Sequence, residues 1–345
     1  MEIEILDRRT ILRNVQSPID FGAVQETNGT RRLYFPTEEQ VDRLVNLHSI
    51  RKTDNLRVIL NGALSRSDTQ ELGAFARNYK KVLVVAHAQH LESLNIAKHF
   101  PTVWGLEILE LCPQQLSKLE QLPSHIQYLS VSLAHNKTAD LGALHHFPHL
   151  QQLFLSGKWR NSGAFNPWDK LSRLFCAYLH IETFESISAL PNLKSLSMYH
   201  GGVSDLRGLA GLSQLESIEL WKVRNLDTLD WLQDFGHLKE AEIGALAKVT
   251  SLPSFQGLRD IERIKLEQMN GLREIRQLAE APRLAKLKLV QMNDIPMEEY
   301  QSFVDHNTLQ ELSSGYRSKR KRKQVSEMLG LPSVTYPNYA LLQEI

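Results

Sequence analysis

The chain has 345 residues, 42% of them hydrophobic, and a net charge of +1, so it can bury a large core and is neither a disordered chain nor a polyelectrolyte built to coat nucleic acid. Its first fifteen residues mix acids and bases without a long apolar run, and no stretch approaches the ~20 apolar residues of a membrane span, which predicts neither a signal peptide nor a membrane segment. The only cysteines are Cys112 and Cys176, a usage that suits a reducing compartment, and the expectation is a cytoplasmic protein.

The first predicted element is an amphipathic helix over TEEQVDRLVNLH, residues 37–48, with Thr37 and Gln40 as a capping box and Val41, Leu44 and Val45 on one face. A second helix starts at Ser67, closed by Gln70, and turns Leu72, Phe75 and Ala76 inward. A different pattern then takes over, apolar at positions 1, 4 and 6 of a repeating unit. It reads Leu106/Leu109/Leu111, Ile126/Leu129/Val131, Leu150/Leu153/Leu155, Leu171/Leu174/Cys176, Leu193/Leu196/Met198, Leu215/Ile218/Leu220, Leu238/Ala241/Ile243, Ile261/Ile264/Leu266 and Leu284/Leu287/Leu289. Fainter copies start near Leu56 and Tyr79, and a last one stands at Leu309/Leu312. Successive starts of the clear copies differ by 20 to 24 residues.

Positions 4 and 6 share one face of an extended strand, and positions 3, 5 and 7 share the other. The second half of each unit steps by three, as in Leu226, Leu229, Leu232 and Phe235, or Leu272, Ile275, Leu278 and Ala281. That step fits a 3₁₀ or extended segment rather than an α-helix. Strand, turn, thin segment and turn, repeated, predict a solenoid with a parallel sheet on one side.

These residues resemble the leucine-rich repeat family, LxxLxL followed by steps of three, in the 22–23-residue class of the bacterial internalins. The resemblance covers residues 55–314, about 10–11 repeats, and implies a concave parallel sheet backed by 3₁₀ or extended segments. It leaves 1–54 as an N-terminal cap region and 315–345 as a basic C-terminal cap. The family often sets Asn at position 9, whereas this chain has Lys158, Leu179, Gly201, Val223, Leu246, Met269 and Met292, so apolar packing is expected to hold the turns.

Catalytic signatures are missing from the sequence: no Gly-rich phosphate loop, nucleophile elbow or zinc pattern occurs. His145, His146 and His149 fall on a back turn with no Cys, Asp or Glu at ligand spacing, and no metal or cofactor is expected. Cys112 and Cys176 lie three repeats apart, roughly 14 Å at ~4.8 Å per strand step, too far for a disulfide. Val325, Met328 and Leu329, stopped by Gly330 and Pro332, predict a closing helix. The run Arg317, Lys319, Arg320, Lys321, Arg322 and Lys323 would open it at the positive end of the helix dipole, where cations are unfavourable. That run reads as a solubilising cap or as an anion- or nucleic-acid-binding patch.

The outward strand positions divide into two surfaces. The later repeats alternate charges, with Glu240 beside Arg263 and Glu242 beside Lys265. The middle repeats carry Tyr128, Phe154, Phe175, Tyr199 and Trp221, joined by Tyr178 and His200. Such rings on one face predict an interaction site, and the resemblance to leucine-rich repeat proteins implies that it serves a protein partner. The expected function is a non-catalytic, scaffold-like protein-binding module. Alternatives are an adaptor or inhibitor of one enzyme, such as a phosphatase regulator or toxin-neutralising protein, or nucleic-acid binding through the basic run.

Overall fold

The computed structural model describes residues 25–27, 30–35, 55–60, 76–77, 81–89, 91, 97–98, 102–160, 165, 168–179, 185–203 and 205–332. It divides into two compact units, Met1–Lys158 and Trp159–Ile345. The predicted helix over 37–48 lies outside the described residues, and of the one beginning at Ser67 only the buried Ala76 is described on its inward side.

In the first unit, β1 (Gln25–Thr27) turns back antiparallel on β2 (Thr30–Phe35), and β2 pairs in parallel with β3 (Asn55–Leu60). The sheet continues in parallel through β4 (Lys81–His87), β5 (Val103–Leu111), β6 (Tyr128–Leu133) and β7 (Gln152–Ser156). Strand structure therefore begins before the first repeat legible in the sequence. One repeat is also shifted. Leu106 faces Leu129 and Ile108 faces Val131, so the unit is Val103/Leu106/Ile108 rather than Leu106/Leu109/Leu111. The sequence misleads because Glu110 takes a left-handed backbone (φ 57°) and the register slips between Ile108 and Leu111, which leaves Leu111 buried although it lies beyond the strand's regular alternation. The corrected start at Val103 makes the step to Ile126 23 residues, in line with the repeats that follow.

In the second unit seven strands run in one parallel sheet: β8 (Arg173–Ala177), β9 (Ser195–Tyr199), β10 (Ser217–Trp221), β11 (Glu240–Gly244), β12 (Arg263–Glu267), β13 (Lys286–Val290) and β14 (Glu311–Ser314). Each inward residue stacks on its counterpart, Leu174 on Leu196 on Ile218 on Ala241 on Ile264 on Leu287 on Leu312. All seven are buried, and each large one contributes roughly 1.5–3 kcal/mol by leaving water.

The backs of the repeats are the thin segments that the steps of three predict. They form 3₁₀ turns at Arg207–Leu209, Asp230–Asp234, Arg276–Glu280 and Met297–Phe303, and one short helix, α1 (Glu185–Ser188). The repeat after Leu246 has no helical turn at all, yet buries Val249, Leu252, Phe255 and Leu258.

A second regularity ends each strand. Tyr178, His200, Lys222, Ala245, Gln268 and Gln291 stand at position 8 and all have φ between 52° and 62°. The amides of the first five extend the ladder by one rung, as from Tyr178 to the Tyr199 carbonyl (2.8 Å) and from His200 to that of Trp221 (2.8 Å). Position 9 then turns inward. Leu179, Val223, Leu246, Met269 and Met292 are buried as expected, and the Met269 amide donates to the Met292 thioether (3.2 Å) where the family would use an asparagine. Lys158 departs from this pattern: it is exposed, and the next residue, Trp159, is buried instead.

The last repeat is closed by α2 (Lys319–Leu329), capped by the Ser318 hydroxyl and stopped by Gly330 at φ 64°. Val325 is buried while Met328 and Leu329 are partly so. Glu299 is buried as a clasp between repeats, accepting hydrogen bonds from the Ile275 amide (2.9 Å), the Arg276 amide (3.2 Å) and the Arg276 guanidinium (2.9 Å).

Candidate protein-binding face

In the second unit the outward side of β8, β9 and β10 carries Phe175, Tyr199 and Trp221, each half-buried. Strand alternation puts them there: the residues between them, Leu174, Cys176, Leu196, Met198, Ile218 and Leu220, are all taken by the core. Phe175 meets Tyr199 edge-to-face with ring centroids 5.0 Å apart. Trp221 behaves differently from a ring raised into solvent. It lies over Gly244, its register partner on β11, so closely that any Cβ there would collide with Cζ3 and Cε3 of the indole. The glycine is the slot in which the indole rests. Tyr178 and His200, on their left-handed turns, stack face to face at 4.9 Å and 8°. Tyr178 is 54% exposed, the highest of the large hydrophobic side chains among the described residues.

A carboxylate sits among these rings. Glu219, between Ile218 and Leu220 on β10, accepts hydrogen bonds from the Ser197 hydroxyl (3.0 Å) and from the Tyr199 hydroxyl. Burial raises its carboxyl above the usual range, the two hydroxyls act against that rise, and neighbouring Glu242 adds to it. Beyond β10 the charges pair as the sequence predicts. Arg263 grips Glu240 through two nitrogens (3.1 and 3.0 Å), and Lys265 bridges Glu242 and Glu267 (3.3 Å each).

Tyr128 and Phe154 belong to the first unit, where the arrangement differs. Tyr128 is only 5% exposed: it stacks on Trp104 at 5.1 Å, tilts against Phe154 at 5.4 Å and donates its hydroxyl to Glu107 (3.0 Å). Trp104 in turn lies under the Lys81 ammonium (4.9 Å) and donates to Gln127 (3.1 Å). Tyr128 is therefore corrected from an accessible contact to a packed residue, because Gly105 opposite it on β5 leaves room for the ring to lie down. Phe154 stays half-buried.

Two carboxylates, Glu107 and Glu219, escaped the sequence reading as members of these clusters. Glu107 was hidden by the shifted repeat, which placed it on the wrong face. Glu219 was visible at position 5, but nothing in one sequence says that two neighbouring hydroxyls will hold it.

The remaining candidates are accounted for locally. His146 Nε2 donates to the Leu122 carbonyl (2.8 Å), and among the described residues no cluster of metal-ligating side chains forms. Both cysteines are free; Cys112 is partly exposed, and burial pushes the Cys176 thiol up, which keeps it protonated and inert. The basic run does open α2. Within it Lys321 lies over the Tyr316 ring (5.0 Å), Arg322 donates to the carbonyls of Tyr316 (2.8 Å) and Arg317 (2.7 Å), and Lys323 pairs with Glu327 (3.5 Å). Arg317, Lys319 and Arg320 are exposed. Among the described residues no helix is long and apolar enough to cross a membrane.

No protein-family model matches the sequence, and no curated protein matches it. Solved structures do. An internalin, inlF, from Listeria monocytogenes str. 4b F2365 is 15% identical and superposes with a TM-score of 0.52, over 88% of this chain and 90% of that one. A second internalin from the same strain, inlC2, is 17% identical over 74% of this chain and 84% of that one, with a TM-score of 0.35. A leucine-rich repeat protein of Leptospira interrogans is 12% identical over 88% and 99%, with a TM-score of 0.38. At these identities the likeness is one of fold.

Proposed function

We propose that this chain, a leucine-rich repeat solenoid by fold, is a non-catalytic binding module that receives a protein partner on the aromatic strands of the unit Trp159–Ile345. One observation carries the reading: Phe175, Tyr199 and Trp221 occupy consecutive strands only half-buried, and Tyr178 extends them with an exposed ring stacked on His200. The fold asks for no rings at these outward positions, since Ser195, Ser197 and Ser217 serve the same strands. Rings of this kind concentrate binding energy when a partner covers them. Free cysteines suit a reducing compartment, in keeping with action in the cytoplasm. An adaptor or inhibitor directed at a single enzyme is a narrower form of the same reading. The basic run lends less support to nucleic-acid binding, because Lys321 and Arg322 are engaged around Tyr316 where the helix meets the last repeat.

The test is a photocross-linker, benzoylphenylalanine, placed in turn at Tyr178 and at Val304, an exposed position in another repeat. In native cell extract the first should trap one discrete protein species and the second should not. Equal labelling from both positions would contradict the assignment.

A further inference from the structure

We propose that Glu219 selects the partner, receiving a lysine or arginine side chain that the partner inserts between Tyr199 and Trp221. This rests on the protein-binding reading above and names the chemistry of what binds. Glu219 is an outlier in its surroundings. Its hydrogen bonds come from two neutral hydroxyls, Ser197 and Tyr199, both on β9, and no ion pair to it forms among the described residues. On its other side stands Glu242, its register partner, a like charge.

The nearest ammonium, Lys265, already serves Glu242 and Glu267 at 3.3 Å each. Two carboxylates thus take up the one cation while Glu219 stands beside them without it, a local balance of −2. Lys288, the register partner of Lys265, lies on the side away from Glu219 and brings the balance to −1. Glu240 adds nothing, since Arg263 neutralises it through two bonds.

A partly buried anion so placed destabilises the free protein, and burial accordingly raises its affinity for a proton. The position has no architectural need of a carboxylate, because its counterparts on the two preceding strands are Ser197 and Phe175. What the arrangement does suit is an incoming cation. Each carboxylate oxygen accepts one hydroxyl and keeps a lone pair, so the pair of oxygens can still accept charge-assisted hydrogen bonds from an incoming guanidinium or ammonium. A partner without a basic group would instead bury Glu219 unpaired, which penalises the wrong partner as strongly as it favours the right one.

The experiment uses the full chain labelled with 5-fluorotryptophan, whose five tryptophans give five fluorine signals. The Trp221 signal is assigned by its loss in Trp221→Phe. Acetyl-arginine amide is titrated against acetyl-citrulline amide, a neutral analogue of the same shape. The arginine probe should move the Trp221 signal saturably and bind at least about tenfold more tightly than citrulline. Glu219→Gln, which keeps the side-chain shape, should erase that preference, and a thermal melt checks that it folds. Glu216→Gln, a carboxylate of the same repeat held by Lys194 and Lys239, should keep it. Equal affinity for both probes, or a preference that survives Glu219→Gln, overturns the proposal while leaving the aromatic face as a binding site. A Trp221 signal unmoved by either probe overturns it as well, and the cross-linking experiment then decides the broader reading independently.

Discussion

Tyr128 and Tyr199 stand on the outward side of their strands and make the same bond, hydroxyl to the carboxylate of a glutamate on an adjoining strand. Their surroundings are opposite. Tyr128 has Trp104 stacked on one side, Phe154 tilted against it and Gly105 beneath, and is buried with its carboxylate. Tyr199 has Phe175 edge-on, and the next ring, Trp221, lies over Gly244, so Tyr199 and Glu219 both keep part of their surface in water. An outward aromatic thus has two uses in this fold. Surrounded by rings it thickens the sheet, and left half-covered it offers binding surface.

The comparison predicts unequal losses of stability. Tyr128→Ala should cost about 3–5 kcal/mol, because it empties a packed site and removes the hydroxyl that donates to the buried Glu107. Tyr199→Ala should cost less than about half of that, since the ring keeps contact with water in the folded state. Urea titration of both variants checks this, and equal costs would erase the distinction.

The glycines give the next largest effect. A methyl group at Gly105 would come within 2.8 Å of the Tyr128 Cβ and 3.0 Å of its carbonyl oxygen, atoms that cannot move aside, so Gly105→Ala should lose about 1–3 kcal/mol. At Gly244 the main obstacle is the movable indole of Trp221, although the Glu267 carbonyl is also near at 3.2 Å. Gly244→Ala should therefore cost less and expose Trp221, seen as a red shift in its fluorescence. If Gly244→Ala is the more damaging of the two, Trp221 is a structural ring.

The smallest effect is electrostatic. Burial raises the Glu219 carboxyl in the folded state, so the folded protein takes up a proton more readily than the unfolded one. Its stability then falls as pH rises from the ordinary carboxylate value through the raised one. Glu219→Gln should be slightly more stable than the parent at neutral pH, by less than ~1 kcal/mol, and the gain should vanish near about pH 4. Melting curves at the two pH values decide, and a gain independent of pH would remove the burial argument.

Most of the repeat architecture was legible because a buried leucine ladder has to recur with the period of the repeat, and Leu174 through Leu287 do so. The slip at Leu106 came from WGLEILEL, where leucines at 106, 109 and 111 imitate one unit across a left-handed residue, Glu110. The left-handed residue ending each strand was illegible for a related reason. Lys222, Ala245 and Gln268 are not residues that favour positive φ, and the parallel ladder imposes it on them. The candidate face was half legible. Alternation gives which rings point outward, whereas their burial depends on what lies across the strand, and Gly244 opposite Trp221 has meaning only once the register is known.

The account's central claim is that the half-covered rings of β8 to β10 bind a partner, and the most direct measurement is that partner's dissociation constant for the double variant Phe175→Ala, Trp221→Ala. The variant should retain a cooperative melt while binding at least about a hundredfold more weakly, and charge reversal at Lys286 and Lys288 should have little effect. Normal affinity in the aromatic variant, with binding abolished by the lysine reversals, would move the site to the charged strands and contradict the claim.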